Sequence, residues 1–325
     1  MSLPRIALSM GDPAGIGPEL CCRVSNDPSL TALARIEVFG SQTICERVAE
    51  KLALPMPPII HECCADLAQN LGTLMPGIVS KIAGQAAINS LEQACVACRN
   101  GSHAALVTAP IHKEAAQQAG FTHPGHTEFL AAACASPQQT TNQVAMALHG
   151  PSLTVVLATI HCSIVKAAQQ LSSTQIVHVA SLLHHALTLR LGRTPRLACL
   201  GLNPHAGEGG LFGDEETRII SPALQQLAAH GIVVAGPLAP DSAFTPSQRT
   251  RYDGYVCCYH DQGLIPFKML HFDDGVNWTL GLPIIRTSPD HGTAFDIAWQ
   301  GSASASSLNS AIRLAAALAN AADDT

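Results

Sequence analysis

The sequence predicts an α/β fold, in which strands and helices alternate along the chain. Six short runs of apolar, often β-branched residues alternate with stretches that have helical spacing. Hydrophobic residues make up 47% of the chain and aromatic residues only 4%, so the core must consist mainly of Ala, Leu, Ile and Val. A length of 325 residues suffices for one large or two ordinary domains without disulfide or metal cross-links.

The predicted elements follow one another in a regular order. The strands are Arg5 to Met10, Ile36 to Phe39, Ala105 to Thr108, Leu153 to Thr159, Leu197 to Leu202 and Tyr255 to Cys258. The helices are Ala83 to Arg99, Thr174 to Leu191, Glu215 to His230 and Leu308 to Ala321. No repeat and no Pro- or Ser-rich linker divides the chain. We therefore expect residues 1–325 to form two interleaved α/β domains without a boundary visible in the sequence.

The charge of the chain excludes several classes of partner. There are 18 Lys and Arg against 24 Asp and Glu, a net charge of −6, and no basic block. Nucleic-acid binding requires a basic surface, so we expect no nucleic-acid partner. No apolar run approaches the length of a membrane span, and Gly11, Asp12 and Pro13 break the first run, which argues against a signal peptide. We expect a cytoplasmic protein with no membrane partner.

The twelve cysteines indicate reduced thiols rather than a disulfide framework. Three pairs are adjacent in sequence, at Cys21/Cys22, Cys63/Cys64 and Cys257/Cys258. Cys95 and Cys98 form a C-x-x-C, but they lie within a helical pattern and no second pair accompanies them. A packing role is favoured for these two residues.

Three histidines, His161, His205 and His260, each follow the end of a predicted strand. Ligands of open α/β sheets bind outside the carboxyl ends of the strands, so these side chains can converge on one site. Three neutral imidazoles with an open position suit a catalytic divalent metal. A hydrogen-bonded structural role is the alternative for each of them. His184 and His185 lie within a predicted helix, and we interpret them as packing or surface residues.

Charged and amide side chains near the last of these histidines predict an anion pocket. Asp261 directly follows His260 and could orient the site or move a proton, although a helix N-cap is an equally good interpretation. Lys268, Asn277 and Arg286 supply two cations and an amide within twenty residues. Solvated surface charge is the usual alternative for Lys and Arg. Arg286, however, lies in the apolar stretch LGLPIIRTS, where a charge needs a partner.

Two glycine-containing motifs precede predicted helices. In GHTE, from Gly125 to Glu128, Thr127 is expected near a helix N-cap and His126 beside exposed amide groups that could hold a phosphate. An ordinary cap is the alternative. The stretch GDPAGIGPE follows a strand as dinucleotide-binding loops do. It lacks the G-x-G-x-x-G spacing, so a Rossmann motif is not predicted.

Seven motifs together resemble the 4-hydroxythreonine-4-phosphate dehydrogenase family of vitamin B6 biosynthesis. They are GDPAGIGPE, TAPIHK, PGHTEFLA, GLNPHAGEGG, YHDQGL, VNWTLGLP and RTSPDHGTAFDIA, and they run from residue 11 to residue 298. The resemblance implies the fold of isopropylmalate and isocitrate dehydrogenases, with two α/β domains around a central active-site cleft. It also implies a homodimer that binds NAD or NADP without a Rossmann motif.

The resemblance also implies a role for individual residues. The divalent metal, such as Zn, Mg or Co, would be held by His161, His205 and His260, with His260 reaching the active site of the other subunit. Substrate and its phosphate would contact His126, Thr127, Lys268, Asn277 and Arg286. Asp241, Asp261 and Lys268 are the candidate catalytic groups. The cofactor would contact His291, Gly292, Thr293 and Asp296.

The implied reaction is the NAD(P)-linked oxidation of 4-phosphohydroxy-L-threonine, followed by decarboxylation to 3-amino-2-oxopropyl phosphate. Two alternatives stay open: a dehydrogenase of D-threonate or D-erythronate 4-phosphate, and a non-catalytic metal-binding protein on the same fold. The chain departs from the family pattern at Trp278, Trp299 and Cys258, where the family usually has a smaller aliphatic residue, Gly and Met. None of these changes removes a proposed ligand.

Overall fold

The computed structural model describes residues 3–135 and 144–323, which form alternating strands and helices. The strands are β1 (Arg5–Ser9), β2 (Arg35–Gly40), β3 (Ile60–Glu62), β4 (Ala105–Thr108), β5 (Ala145–Gly150), β6 (Leu153–Leu157), β7 (Leu197–Leu200), β8 (Val234–Leu238), β9 (Gly254–Cys257), β10 (Val276–Leu280) and β11 (Ile285–Pro289). The helices are α1 (Gly17–Val24), α2 (Pro28–Thr31), α3 (Gln42–Leu52), α4 (Ala68–Leu71), α5 (Lys81–Arg99), α6 (Lys113–Gln118), α7 (His126–Ala133), α8 (Ile164–Gln170), α9 (Ser173–Leu191), α10 (Ser221–Ala229), α11 (Pro240–Ala243), α12 (Pro246–Arg249), α13 (His260–His271) and α14 (Ser306–Asp323). The predicted α/β fold class is confirmed.

The chain divides into two compact units. The first unit contains Met1–Asn142 and Leu282–Thr325, and the second contains Gln143–Gly281. The chain therefore leaves the first unit and returns to it. None of the helices in the described part of the chain is both long and apolar enough to cross a membrane.

The first unit contains a parallel set of strands in the order β3-β2-β1-β4-β11. Its buried positions are filled mostly by small and aliphatic side chains, as the composition predicts. Because β1, β4 and β11 are neighbours and parallel, the segments that follow them meet at one edge of the sheet. Those segments are the motifs GDPAGIG, TAPIHK and DHGTAFD.

The second unit has the strand order β10-β5-β6-β9-β7-β8. The pairs β10/β5 and β5/β6 are antiparallel, whereas β6, β9, β7 and β8 are parallel. Its core includes the fully buried Tyr255 and Phe267. The carboxyl ends of β6, β9 and β7 lie side by side, and His161, His260 and His205 follow them in that order.

The structure corrects several predicted boundaries. Helix α5 starts at Lys81, where the Ser80 hydroxyl accepts a hydrogen bond from the Ala83 amide. The helix predicted from Glu215 to His230 instead begins with a π turn, Glu216–Ile220, followed by α10. The cause is Pro222 near the start of α10, which has no N–H for a regular α-helical bond to the preceding turn. Strands β3, β5, β8, β10 and β11 were not predicted.

Candidate active site

The loops that carry two of the three predicted metal ligands have left-handed backbone conformations. His161 has φ 46° and His205 has φ 52°. The whole stretch from His205 to Gly209 has positive φ values. Non-glycine residues rarely adopt this conformation, and it persists only where surrounding contacts enforce it. Such strain is typical of functional loops.

The carboxylate of Glu216 holds the loop of His205. Its Oε1 accepts a hydrogen bond from the Asn203 amide at 2.8 Å, and its Oε2 accepts one from Asn203 Nδ2 at 3.0 Å. A Cβ at Gly207 would lie 2.7 Å from Glu216 Oε2, so this position requires glycine. Burial raises the pKa of Glu216, but the hydrogen bonds from Asn203 have the larger, opposite effect. The pKa of Glu216 is therefore below its usual value. Glu216 therefore acts as an ionised anchor.

Gln262 connects the two loops that lead to His205 and His260. Its Oε1 accepts a hydrogen bond from the Cys258 amide at 2.7 Å, and its Nε2 donates one to the Gly201 carbonyl at 2.7 Å. Sequence reasoning did not identify this positioning role. The available signal was its place in the motif YHDQGL, directly after the predicted ligand and Asp261.

The predicted metal ligands are brought partly together within one chain. The ring centroids of His161 and His260 are 5.8 Å apart. His260 Nδ1 lies 2.7 Å from Asp261 Oδ1, and His205 Nδ1 lies 4.0 Å from Asp241 Oδ2. A carboxylate that is hydrogen-bonded to an imidazole, as Asp261 is to His260, orients a metal-binding histidine in this way. The donor set therefore fits a divalent cation.

A pocket of about 530 Å³ opens beside these side chains, and His161, Tyr259, His260 and Asp261 contribute to its lining. Helix α13 begins at His260, with Tyr259 as N-cap, so Asp261 lies in the first turn and is not the cap. In residues 3–135 and 144–323, the ligand atoms of His161, His205 and His260 do not converge closely on one point.

Lys268 and Asn277 belong to the same unit. Lys268 lies about two turns after His260 on α13, and its Nζ is 5.9 Å from the Phe272 ring centroid. Asn277 lies on β10, and its buried Oδ1 has no hydrogen-bond partner among the described residues. An acceptor without a partner at this depth is available to a ligand.

The first unit contains a buried cation. Arg286 on β11 is only 3% exposed, and its Nη2 donates a hydrogen bond to Thr108 Oγ1 at 2.7 Å. Burial lowers the pKa of Arg286 to about 10, and the carboxylate of Glu128 opposes that shift. The guanidinium therefore remains charged at neutral pH. A buried positive charge in an acidic protein favours an anionic ligand.

His126 lies beside this cation at the start of α7. Its Nε2 is buried and has no hydrogen-bond partner among the described residues. Burial, helped by the charge of Arg286, lowers the pKa of His126 to about 3, so the ring is neutral. Thr127 lies near the helix N-cap, as predicted, although the N-cap residue itself is Gly125 and Thr127 lies in the first turn. Exposed amides at a helix start favour anions.

The predicted cofactor segment follows β11. His291 Nε2 is buried without a partner among the described residues, and Thr293 is buried with its carbonyl accepting from the Ile16 amide at 3.0 Å. A Cβ at Gly292 would meet nothing within 4 Å, and Asp296 is exposed. The segment thus combines open space with an available ring nitrogen, which fits an adenosine or nicotinamide group.

Asp12 is a buried carboxyl that the sequence-based reasoning missed. Its Oδ1 accepts a hydrogen bond from the Ala14 amide at 2.8 Å, whereas its Oδ2 is buried and has no partner among the described residues. Burial raises the pKa of Asp12 to about 6, against the effects of Ala14 and His112. The ring of His112 stacks on Phe295, with centroids 4.5 Å apart. The motifs GDPAGIGPE and TAPIHK marked this region without assigning roles.

Trp299, a departure from the family pattern, fills a structural position. It is buried, has φ 58°, and donates from Nε1 to the Pro13 carbonyl at 3.1 Å. The Arg47 guanidinium lies 4.9 Å from its ring centroid. Through this hydrogen bond to Pro13, the indole supports the loop GDPAG.

Comparison with known proteins agrees with these observations. The family model of the pyridoxal phosphate biosynthetic protein PdxA matches residues 32–315. The chain is 44% identical to the 4-hydroxythreonine-4-phosphate dehydrogenase of Erythrobacter litoralis, covering 92% of this chain and 91% of the relative. It is 41% identical to the D-threonate 4-phosphate dehydrogenase of Salmonella typhimurium, covering 98% and 100%.

Solved structures give the same result. The crystal structure of 4-hydroxythreonine-4-phosphate dehydrogenase from Klebsiella pneumoniae matches with a TM-score of 0.87 at 39% identity, over 98% of both chains. The predicted fold, that of isopropylmalate and isocitrate dehydrogenases, is confirmed. Motifs, fold and relatives agree that this chain is an oxidoreductase belonging to the PdxA family of pyridoxal phosphate biosynthetic proteins.

Proposed function

We propose that this chain oxidises 4-phosphohydroxy-L-threonine with NAD or NADP and releases 3-amino-2-oxopropyl phosphate and carbon dioxide. The buried guanidinium of Arg286 beside the neutral ring of His126 is the observation that carries this proposal. It provides a desolvated site for a doubly charged phosphate. Relatives named for phosphorylated hydroxy acids support the same substrate class.

Phosphate binding supplies orientation. Arg286 donates to the phosphate oxygens while Thr108 fixes the guanidinium plane. Thr127 adds a hydroxyl, and the first-turn amides of α7 complement the charge. Because this binding energy is remote from the reacting carbon, it can hold the C3 hydroxyl in a productive position. The family resemblance implies that Lys268 and Asn277 would also contact the substrate.

His161, His205 and His260 would hold a divalent cation, and His291, Gly292, Thr293 and Asp296 would contact the nicotinamide cofactor. When bound, the cation supplies Lewis acidity and the nicotinamide accepts hydride. Asp261, hydrogen-bonded to His260, would orient that imidazole, and Asp241 lies 4.0 Å from the imidazole of His205.

Proton transfer falls to side chains near the predicted metal ligands. Asp261 and Lys268 are the candidates for accepting the C3 hydroxyl proton, because both lie on the helix that begins with His260. Oxidation at C3 produces a β-keto acid. Its carboxylate then leaves as carbon dioxide, and a proton returns to the carbon from which it left.

A second candidate is the oxidation of D-threonate 4-phosphate, which is the activity named for the Salmonella typhimurium relative. The two substrates share the phosphate and the C3 hydroxyl, and they differ at C2, where one has an amine and the other a hydroxyl. D-Erythronate 4-phosphate differs from D-threonate 4-phosphate in stereochemistry only.

A single assay tests these alternatives. Purified protein with Zn²⁺, Mg²⁺ or Co²⁺ and NAD or NADP is mixed with each of the three 4-phosphates, and NAD(P)H formation is followed by absorbance. We expect the highest kcat/KM with 4-phosphohydroxy-L-threonine and stoichiometric carbon dioxide release. A higher kcat/KM with D-threonate 4-phosphate would reject the first proposal in favour of the second.

We also propose a cytoplasmic homodimer with shared active sites. Helix α13, which begins at His260, exposes the apolar side chains of Ile265, Met269 (82% exposed) and Leu270, and Phe272 (74% exposed) directly follows its end. An apolar patch of this kind on a helix is typical of a protein interface. A second copy seated there would bring its own His260 close to the edge of the sheet.

A further inference from the structure

A second cluster of potential metal ligands lies in the first unit, apart from the predicted ligands of the active site. Glu37, His61 and His103 each offer one ligand atom, and these atoms lie within 4.8 Å of one another. Glu37 is on β2, His61 is on β3, and His103 is in the turn between α5 and β4. Three separate segments therefore converge on one point.

We propose that Glu37, His61 and His103 bind a divalent transition-metal ion of the zinc type. Both imidazoles present Nε2 to the same carboxylate oxygen, at 2.7 Å for His61 and 3.1 Å for His103. Zinc bonds of about 2.0 to 2.2 Å place tetrahedral ligands about 3.3 Å apart. An ion therefore fits after the Glu37 oxygen moves away from His61 Nε2 by about 0.6 Å and from His103 Nε2 by about 0.2 Å.

The tautomer of His103 supports this assignment. Ser102 Oγ lies 2.8 Å from the Ala97 carbonyl and 3.1 Å from His103 Nδ1. When the hydroxyl gives its one hydrogen to the carbonyl, which can only accept, Ser102 Oγ accepts from His103 Nδ1. The neutral form of His103 consequently has a bare lone pair on Nε2, directed at the Glu37 carboxylate. A cation between the two atoms resolves this opposition, and the bond at Nδ1 is typical of metal-binding histidines.

The surroundings fit a partly accessible site. The side chains of Glu37 and His103 are almost fully buried, whereas that of His61 is 37% exposed and leaves a path for an ion. The ring of His61 stacks on Phe39, with centroids 4.3 Å apart, which fixes its orientation. The opposite oxygen of the Glu37 carboxylate accepts hydrogen bonds from other groups, as ligating carboxylates commonly do.

Those groups are two guanidiniums. Arg5 Nε and Arg35 Nε lie 2.8 and 2.9 Å from Glu37 Oε1, and Arg5 Nη2 also lies 2.9 Å from Oε2. Their charges oppose a further cation, but both side chains are substantially exposed and screened by water. We therefore expect weaker binding than in a closed four-ligand zinc site. Two imidazoles and one carboxylate with room for water favour Zn²⁺, Co²⁺ or Ni²⁺ over Mg²⁺.

The experiment measures Zn²⁺ binding to metal-free, full-length His205→Ala protein, in which the proposed active-site triad is disabled. Equilibrium dialysis with elemental analysis gives stoichiometry and affinity. We expect one Zn²⁺ per chain, and more than about a 100-fold loss of affinity when His61→Gln is added, since a lost ligand should exceed the roughly 10- to 100-fold effect of losing a ligand's hydrogen-bond partner. Gln keeps a hydrogen-bond donor for Glu37, so the fold is retained.

The matched control adds His185→Ala, an exposed histidine of the second unit, to the same background. This control should bind Zn²⁺ like the background and show the same increase in Tm on Zn²⁺ addition, whereas the His61→Gln protein should show no increase. Equal Zn²⁺ content and equal Tm shifts with and without His61→Gln would overturn the proposal. Absence of Zn²⁺ from the His205→Ala protein would overturn it as well.

Discussion

The two units place their functional side chains at the same kind of sheet edge but in opposite environments. In the first unit, Arg286 is 3% exposed, and the buried Nε2 of His126 lies near it. In the second unit, His161 and His205 stand on exposed loops with left-handed backbone. At the sheet edge of the first unit, these groups are buried within that unit. At the sheet edge of the second unit, the imidazoles are exposed to solvent and accessible to a ligand.

This difference teaches how each site obtains its geometry. The hydrogen bond from Arg286 to Thr108 fixes the buried guanidinium, so the proposed phosphate site is formed before substrate binds. In the second unit, Glu216 and Gln262 instead hold the backbone of the loops that lead to His205 and His260. The two sites can be tested separately, by replacing a predicted metal ligand in the second unit and the buried cation Arg286 in the first.

The largest effect is expected at the exposed edge. His205→Ala should release tightly bound metal at the active site and remove nearly all turnover, a loss above the roughly 100-fold upper range seen when only a ligand's hydrogen-bond partner is removed. Metal content and kcat are measured together. His185→Ala, an exposed histidine on α9, is the control and should change neither. An inactive His205→Ala protein with unchanged active-site metal would contradict the ligand assignment.

At the buried edge, Arg286→Ala should cost roughly 2 to 4 kcal/mol of transition-state stabilisation, because a charge-assisted contact to phosphate is lost. The measurement is kcat/KM for phosphorylated and unphosphorylated forms of one substrate. Only the phosphorylated form should lose the full amount. Arg286→Lys, which keeps the charge without the bidentate geometry, should fall between. An equal loss for both substrates would show that Arg286 does not bind the phosphate.

The buried carboxyl of Asp12 in the first unit should affect the pH dependence of the free energy of unfolding. Because the pKa of Asp12 is about 6 in the folded state and near 4 in unfolded chains, the folded state binds its proton more tightly. The contribution of Asp12 to the free energy of unfolding thus decreases as pH rises from about 4 to about 6. Asp12→Asn should remove this decrease and stabilise the protein above pH 6 by up to about 3 kcal/mol.

Denaturant unfolding of both proteins from pH 4 to pH 8 provides the test, and the difference between them is the quantity of interest. Asp27→Asn is the control, because hydrogen bonds with Ser29 lower the pKa of that exposed carboxyl. It should give no stabilisation above pH 6. A constant difference between wild type and Asp12→Asn across the pH range would disprove the shifted pKa.

The sequence correctly places His161, His205 and His260 after the ends of strands, for a simple reason. An apolar run followed by a histidine places that residue at the carboxyl end of a strand, and β6, β9 and β7 are indeed parallel neighbours. The supporting residues Gln262, Glu216 and Asp12 could not be predicted in this way. Their roles depend on hydrogen bonds to distant backbone or on burial, and neither leaves a periodic pattern.

Local backbone geometry is a second limit on what can be predicted from the sequence. GHTE correctly predicts that a helix follows, but whether Gly125 or Thr127 caps it depends on one pair of backbone angles. Strand β11 was missed because it carries Arg286 and ends in Pro289, which a strand pattern normally excludes. The functional residue and the missed element coincide here, since a buried cation interrupts the apolar pattern on which strand prediction relies.

The smallest expected effect is a partial recovery of activity, which tests whether a second subunit supplies one of the predicted metal ligands. His161 and His260 are near each other within one chain, yet the three predicted ligands do not converge there. We expect a second subunit to supply His260. The test refolds two inactive homodimers together, His161→Ala and His260→Ala, so that chains exchange freely and half of the dimers are mixed.

If sites are shared, each mixed dimer has one site with both substitutions and one intact site. Recovered activity should then approach roughly a quarter of the wild-type value, as closed two-fold symmetry requires. If all three ligands come from one chain, every site lacks one histidine, and mixing restores nothing. Separately refolded wild-type protein corrects for refolding yield, and native mass spectrometry confirms the mixed dimers. Mixed dimers without activity would assign His161, His205 and His260 to a single chain.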